Sequence, residues 1–315
     1  MLDILSITGP IYLTIGIGFL ITRFGVFAKA DMRVFGQFVI QIALPALLFN
    51  ALSQRRFGDI FNADYLAAYA VGSLLVLAMA FVWARWVAHR SMSYASMFAM
   101  GMCCPNSGFV GYPVALLTLG GAVAGVSLAL NMVVENLLLI PLLLVLSDLD
   151  AHGHGNWRLA VSQTLRGLVR NPMILAIVAG VLASFWGVQL PGPISRTVTL
   201  FAQASGALSL MVIGGNLFGL RIHGLRLPVA QIAAGKLLLH PLVMLLTLTW
   251  LIPVHDVGLR TALQLTAALP MLGIYAILSQ RHGHEGLSSA ALLATTVSSF
   301  FTLSALLWML QHWRG

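Results

Sequence analysis

Charge is scarce in this chain. Asp, Glu, Lys and Arg together make up 8% of its 315 residues, against roughly a quarter in a soluble globular domain. A water-facing surface over most of the molecule is therefore excluded. Cysteine is nearly absent too. The two present, Cys103 and Cys104, are neighbours, which rules out a disulfide framework and leaves them as small apolar residues near a helix break. No His-Glu-x-x-His motif occurs, and no paired acidic residues fall in the apolar runs. The convergent groups an intramembrane enzyme needs are missing, so no enzyme, metal or cofactor is expected. The formal charge of +8 comes from basic residues set singly or in pairs between apolar runs, not from a stripe, which argues against nucleic acid.

Apolar residues are what the chain has in abundance. They form 59% of it, with a mean hydropathy of +0.93. A membrane-crossing helix needs roughly 20 apolar residues, so about ten spans fit with short connections. Unpaired backbone groups are not tolerated in hydrocarbon, so the runs read as helices. We place them at 4–22, 34–53, 64–87, 94–119, 122–147, 172–190, 197–219, 228–252, 259–280 and 287–311. The start, Met1-Leu2-Asp3, has no basic n-region, so the first run reads as a retained span rather than a cleaved signal.

Orientation follows from Lys and Arg in alternate loops. One side holds eleven: Arg23, Lys29, Arg33, Arg85, Arg90, Arg158, Arg166, Arg170, Arg221, Arg226 and Arg281. The other holds five: Arg55, Arg56, Arg196, Arg260 and Arg314. The richer side is expected in the cytoplasm, leaving both termini outside.

The chain also repeats itself. An offset of 165 residues lays Pro105-Asn106-Ser107-Gly108-Phe109 on Pro270-Met271-Leu272-Gly273-Ile274 and Gly121 on Gly286. An offset of 162 lays Gly9-Pro10 on Asn171-Pro172 and Gln41 on Gln203. A five-span unit crosses an odd number of times, so its second copy is inverted, a common build of secondary transporters. The expected division is a first repeat at 1–148, a cytoplasmic linker at 149–170 and an inverted repeat at 171–315.

Two spans are broken at matching places. The fourth carries Pro105, Gly108, Gly111 and Pro113; the ninth carries Leu269-Pro270-Met271-Leu272-Gly273. Proline removes a donor and glycine loosens the backbone, and such breaks survive in lipid only where protein buries them or a cavity borders them. Matched breaks point to a substrate site, and half-helix N-termini suit a small anion. Asn106, Ser107, Gly108, Pro270, Met271, Leu272 and Gly273 are the candidate substrate residues.

Ionisable groups at membrane depth mark function by default. Glu135 lies mid-span, with Asn131 one turn before it. The carboxylate either binds a proton or sodium, or is the structural partner of a basic residue. Lys236 and His240 form a second i, i+4 pair before Pro241. They balance an anion or pair with Glu135; alternatively Lys236 snorkels to the interface. Thr295, Thr296, Ser298 and Ser299 either border an ion site or pack helices. His152, His154, His282 and His284 lack the supporting ligands of a zinc site and read as solvated loop residues.

Several of these segments resemble the auxin efflux carrier family. They are Leu44-Pro45-Ala46-Leu47-Leu48-Phe49, Asn106-Ser107-Gly108-Phe109-Val110-Gly111-Tyr112-Pro113, Arg170-Asn171-Pro172-Met173-Ile174-Leu175-Ala176, Lys236-Leu237-Leu238-Leu239-His240-Pro241 and Leu269-Pro270. The resemblance covers nearly the whole chain, in order, and is nearest to the bacterial malonate or malate transporter branch. It implies an all-α integral membrane fold shared with PIN carriers and bile acid–sodium symporters: ten helices in two inverted five-helix repeats, with helices 4 and 9 broken and crossing. Helices 1, 2, 6 and 7 would form a scaffold, also open to homodimer formation, and helices 3–5 and 8–10 an elevator-like transport domain. Asn106 matches the family's substrate-contacting Asn. The second PIN Asn is replaced here by Pro270-Met271-Leu272, which argues against auxin. The acidic ninth-span residue of the sodium-coupled relatives is absent, which argues against sodium. The expectation is a secondary carrier of small organic anions in a bacterial inner membrane, with proton or sodium coupling open. The alternatives are a sodium-coupled symporter of larger amphipathic anions and a non-transporting membrane sensor.

Overall fold

The computed structural model describes residues 2–151, 167, 169–220, 226–280 and 282–312. Most of the linker expected at 149–170 lies outside these residues. So do Arg158, Arg166, Arg221, Arg281 and Arg314 of the orienting charges, and His152 and His154. Among the described residues the regular structure is helical, with one isolated β-bridge.

Six continuous helical stretches among the described residues are long and apolar enough to cross a membrane: Lys29–Ser53, Ala63–Val87, Ser107–Ser147, Gly192–Leu217, Arg226–Leu251 and Glu285–Leu310. Ser107–Ser147 is 41 residues long, about 60 Å at the helical rise and twice the hydrocarbon thickness. Inside it Gly120 leaves the helical region at φ 81°, ψ 162°, the left-handed geometry that glycine adopts readily. Pro172–Phe185 has only 14 residues, shorter than the 172–190 expected. Its end is capped: Gly187, at φ 64°, donates to Ser184 O while Val188 donates to Ala183 O at 2.9 Å. That double cap stops the helix before the apolar run ends.

Proline explains a recurring local feature. Among the described residues, five of six π-helical turns end two residues before a proline, Trp83–Val87 being the exception: Val39–Ala43 before Pro45, Ser107–Gly111 before Pro113, Glu135–Leu139 before Pro141, Gly235–Leu239 before Pro241 and Thr247–Leu251 before Pro253. A proline ring clashes with the carbonyl four residues back and offers it no N–H. Widening the preceding turn re-pairs the backbone, as where Leu44 donates to Val39 O, Ile140 to Glu135 O and His240 to Gly235 O. Such turns are frequent at functional positions, and both Glu135 and Lys236 sit in one.

The described chain forms two compact units, each drawing on both halves of the sequence. The first comprises Met1–Ala63, Ser107–Met132 and Leu168–Gly219. Its helices Leu2–Arg23 and Gly192–Leu217 meet through glycine: a Cβ on Gly18 would strike the Met211 carbonyl, and one on Gly214 the Ile15 carbonyl. Small residues at such seams let backbones approach, which matters in lipid because apolar burial alone does not drive helices together. Gly125 admits Ala51 in the same way. The second unit comprises Asp64–Asn106, Val133–Gly167 and Leu220–Gly315. There Gly235 makes room for Met102, and Gly101 for Ile232 and the Tyr275 hydroxyl, which donates to Met97 O at 2.8 Å.

Candidate substrate and ion site

The two breaks meet in the second unit. Helix Met92–Cys103 ends at Cys104, which takes an extended conformation (φ −97°, ψ 108°). Helix Val257–Ala268 ends likewise at Leu269 (φ −64°, ψ 156°). Pro105 then faces Met271 in an antiparallel bridge. Asn106 N donates to Pro270 O at 2.9 Å, and Leu272 N donates to Cys104 O at 3.0 Å. Each interruption thus supplies partners for backbone groups that the other frees, which lipid could not do.

Asn106 is 3% exposed. Its amide stands beside Gly273, where a Cβ would lie 3.3 Å from Asn106 Nδ2; glycine is what leaves space for that side chain. Met271 and Pro270 are buried, while Leu272 and Gly273 are half-exposed. Pro105, Asn106, Pro270, Met271, Leu272 and Gly273 therefore come together as one element. Ser107 and Gly108 are buried, with the Leu44 side chain packed near Gly108; Gly111 is half-buried and Pro113 buried. The half-helix after the second break, Tyr275–Gln280, has six residues, so the dipole expected there is short.

A chain of buried polar groups runs through the same unit. Tyr69 OH donates to Glu135 Oε1 at 2.7 Å. Four residues on, along helix Ala63–Val82, Ser73 Oγ lies 3.2 Å from His240 Nε2. Lys236 Nζ is 2.8 Å from His240 Nδ1 and donates to Ala267 O at 2.8 Å. A Lys236 ammonium has donors only, so Nδ1 accepts, and Nε2 carries the imidazole proton towards Ser73. Ala267 belongs to the last turn of the helix before Pro270, where carbonyls lose their intrahelical partners. Lys236 caps one of them. Its hydrogen bonds go to His240 and Ala267, and its complete burial (0% exposed) overturns the interfacial snorkelling alternative.

The remaining candidates are less convergent. Asn131 is 3% exposed in the first unit, while Glu135, one turn on, belongs to the second. Thr295 and Thr296 are buried and turn their hydroxyls onto their own helix, at Ala291 O (2.8 Å) and Leu292 O (2.7 Å). Ser299 is buried and Ser298 exposed. Outside the spans, His284 is half-buried: its Nε2 lies 3.4 Å from Ser93 Oγ and its ring stands edge-on to Tyr94 at 5.4 Å. That differs from a solvated loop residue. Burial, then the neighbouring His282, push its pKa down. Sequence reading missed Tyr69 and Ser73. Their signal was present: two polar residues four apart on one face of an otherwise apolar span.

A family model described as "Membrane transport protein" matches residues 7–309. A protein of Rhizobium meliloti (strain 1021) named "Putative malonate transporter" is 27% identical over 314 residues, covering 99% of this chain and 97% of that one. "Uncharacterized transporter YfdV" of Escherichia coli (strain K12) is 25% identical over 242 residues, 75% of this chain and 76% of its own. An "Uncharacterized transporter" of Methanothermobacter thermautotrophicus is 23% identical over 294 residues, 91% of this chain and 92% of its own. These are names of transporters, not enzymes. The chain is accordingly a multi-pass membrane transport protein and belongs to the auxin efflux carrier family.

Proposed function

We propose that this protein is a secondary active transporter of small organic anions, mono- or dicarboxylates of the malonate and malate type, in a bacterial cytoplasmic membrane. The observation that carries the reading is the main-chain bridge between Pro105 and Met271, with Asn106 beside Gly273. A crossing of two interrupted helices at a buried amide is where a carrier holds a small polar solute. The relative named for malonate supports a diacid as the substrate. Asn106 is the substrate-contacting amide, Lys236 balances the anion's charge, and Glu135 carries a coupling proton.

The wider architecture in this reading is ten spans in two inverted repeats, termini outside. The 41-residue stretch bent at Gly120 supports a fourth and a fifth span. Elevator motion is the mechanism. It is supported by the division into two units, the first holding the expected spans 1, 2, 6 and 7 together with 107–132, and the second holding spans 3, 8, 9 and 10.

Uptake into proteoliposomes tests this. Malonate, malate and succinate are to be compared with a bile-acid-sized anion, with sodium and pH varied in turn. Saturable uptake of a small diacid, driven by an imposed proton gradient and lost in Asn106→Ala, is expected. Sodium-driven uptake of only the larger anion would transfer the assignment to the other symporter class.

A further inference from the structure

The first unit contains a cavity of 780 Å³ that the crossing helices of the second unit do not account for. It is bounded by the end of helix Leu44–Ser53, by Tyr112 and Gly121, next to the bend at Gly120, and by the face of helix Gly192–Leu217 that carries Thr199 and Gln203. We propose that this cavity is a docking site for a carboxylate-bearing anion, held by the guanidinium groups of Arg55 and Arg56. The assignment rests on the anion-transport reading and adds to it a second site, separate in sequence from Asn106.

The lining chemistry is one-sided. Arg55 and Arg56 both border the cavity, and no Asp or Glu stands among the described residues that line it. The neutral polar groups are Asn50, Gln54, Tyr112, Thr199 and Gln203. Gln54 Nε2 donates to Asn50 Oδ1 at 2.7 Å, which directs the Asn50 amide's donors away from that contact. Guanidinium is the group that matches a planar carboxylate with two parallel hydrogen bonds, and two of them suit an anion carrying two carboxylates.

The backbone fixes this pair in place. Helix Leu44–Ser53 stops at Gln54, and Arg55 N donates to Leu52 O at 3.1 Å. The Arg55 carbonyl accepts from Ser184 Oγ at 2.6 Å, pinning the turn to helix Pro172–Phe185. Gly125 leaves room for the Ala51 methyl group, and Leu47 and Ala202 are buried in the lining. Arg55 is half-exposed and Arg56 exposed; the charges are wet, and the cavity is open to them.

Size sets the kind of binding. Ligand cavities run from about 300 to 1,000 Å³, and a three- or four-carbon diacid occupies a small part of this one. The anion therefore docks with water around it. The function of such a site is to raise the local anion concentration and the rate of capture, not to bind tightly.

The experiment compares malonate uptake in proteoliposomes by wild type, an Arg55→Gln/Arg56→Gln variant and an Arg55→Lys/Arg56→Lys variant. At low salt the glutamine pair should lose roughly tenfold in kcat/KM with maximal rate kept, because electrostatic capture acts on encounter. The gap should close above about 0.15 M salt, where the screening length falls to about 8 Å, and the lysine pair should restore part of the loss, since an ammonium keeps the charge but not the two parallel hydrogen bonds. Unchanged kcat/KM and salt dependence in the glutamine pair would overturn the site while leaving the transport reading intact. A loss that lysine does not restore, accompanied by lowered thermal stability, would overturn it as well. Should wild type transport no carboxylate, the transport reading falls. Malonate binding to the purified protein then decides: weakening in the glutamine pair upholds the docking site, and no such difference ends it.

Discussion

Tyr69 donates its phenolic hydrogen to Glu135 across 2.7 Å of buried interior. The pair separates two roles for the carboxylate. Tyr69→Phe removes a buried donor and should destabilise the protein by about 1–3 kcal/mol, read as a lower melting temperature in detergent. Glu135→Gln keeps an acceptor for Tyr69, so its stability should stay nearer to wild type. Its uptake should lose its dependence on pH while exchange of anion for anion persists. A Glu135→Gln pH profile that overlays wild type would remove Glu135 from proton coupling.

Asn106 and Gly273 make a second pair that discriminates. Gly273 has no positive φ, so alanine fits its backbone and changes stability by no more than about 1 kcal/mol. The new Cβ, 3.3 Å from Asn106 Nδ2, displaces the amide. Gly273→Ala should therefore raise KM towards that of Asn106→Ala, which loses binding, while both melt near wild type. Wild-type KM in both variants would detach the crossing from substrate.

Lys236 holds an end of the polar chain and a helix end at once. Lys236→Met strips donors from His240 and from the Ala267 carbonyl, and the buried polar groups left behind cost about 1–3 kcal/mol each. Loss of melting temperature together with loss of uptake is expected. A stable, inactive Lys236→Met protein would assign the ammonium to the anion rather than to the helix cap.

His284 gives a pH dependence whose sign is fixed. Its native pKa lies below the ordinary 6.5, chiefly through burial and then through His282. Above 6.5 both folded and unfolded chains hold it neutral, and its contribution is fully present. As pH falls below 6.5 the unfolded chain takes up the proton first, so stability drops until the native pKa is passed. Melting temperature measured downward from pH 7.5 should fall more steeply in wild type than in His284→Gln. Parallel curves would contradict the assignment.

Glycine seams predict the largest effects on folding. Gly214→Ala drives a methyl group into the Ile15 carbonyl, a rigid backbone atom, and overpacking of that kind costs about 1–3 kcal/mol or more. Gly9→Ala, where nothing lies within 4 Å, is the control. Equal yields of folded protein from the two variants would refute the seam.

Much of this was readable from residue order. The breaks at Pro105 and Pro270 are legible because proline and glycine act locally, and the 165-residue offset aligns them without any knowledge of their contact. Their bridge was not readable, since which backbone groups pair depends on how two distant helices cross. The same holds for Tyr69 with Glu135 and for Lys236 with Ala267: no spacing rule connects them. Pro45 and Pro241 enter the sequence reading as parts of motifs and Pro141 as part of an apolar run, none of them as the cause of a widened turn, although each imposes one, and two of those turns carry Glu135 and Lys236. His284 was misjudged because its burial comes from Ser93 and Tyr94, which only the fold brings near.

The bridge between the broken helices is made of backbone atoms alone: Asn106 N to Pro270 O, and Leu272 N to Cys104 O. Short of proline at 106 or 272, which would remove the donor, no side-chain replacement deletes those two bonds. Mutation can therefore rework the groups around the crossing, and with them the choice of solute, while the frame that presents them stays fixed. On the proposed anion-carrier reading, a lineage of carriers built on such a frame is free to diversify its cargo one residue at a time, and a designer seeking new selectivity has the same freedom at 106 and 273.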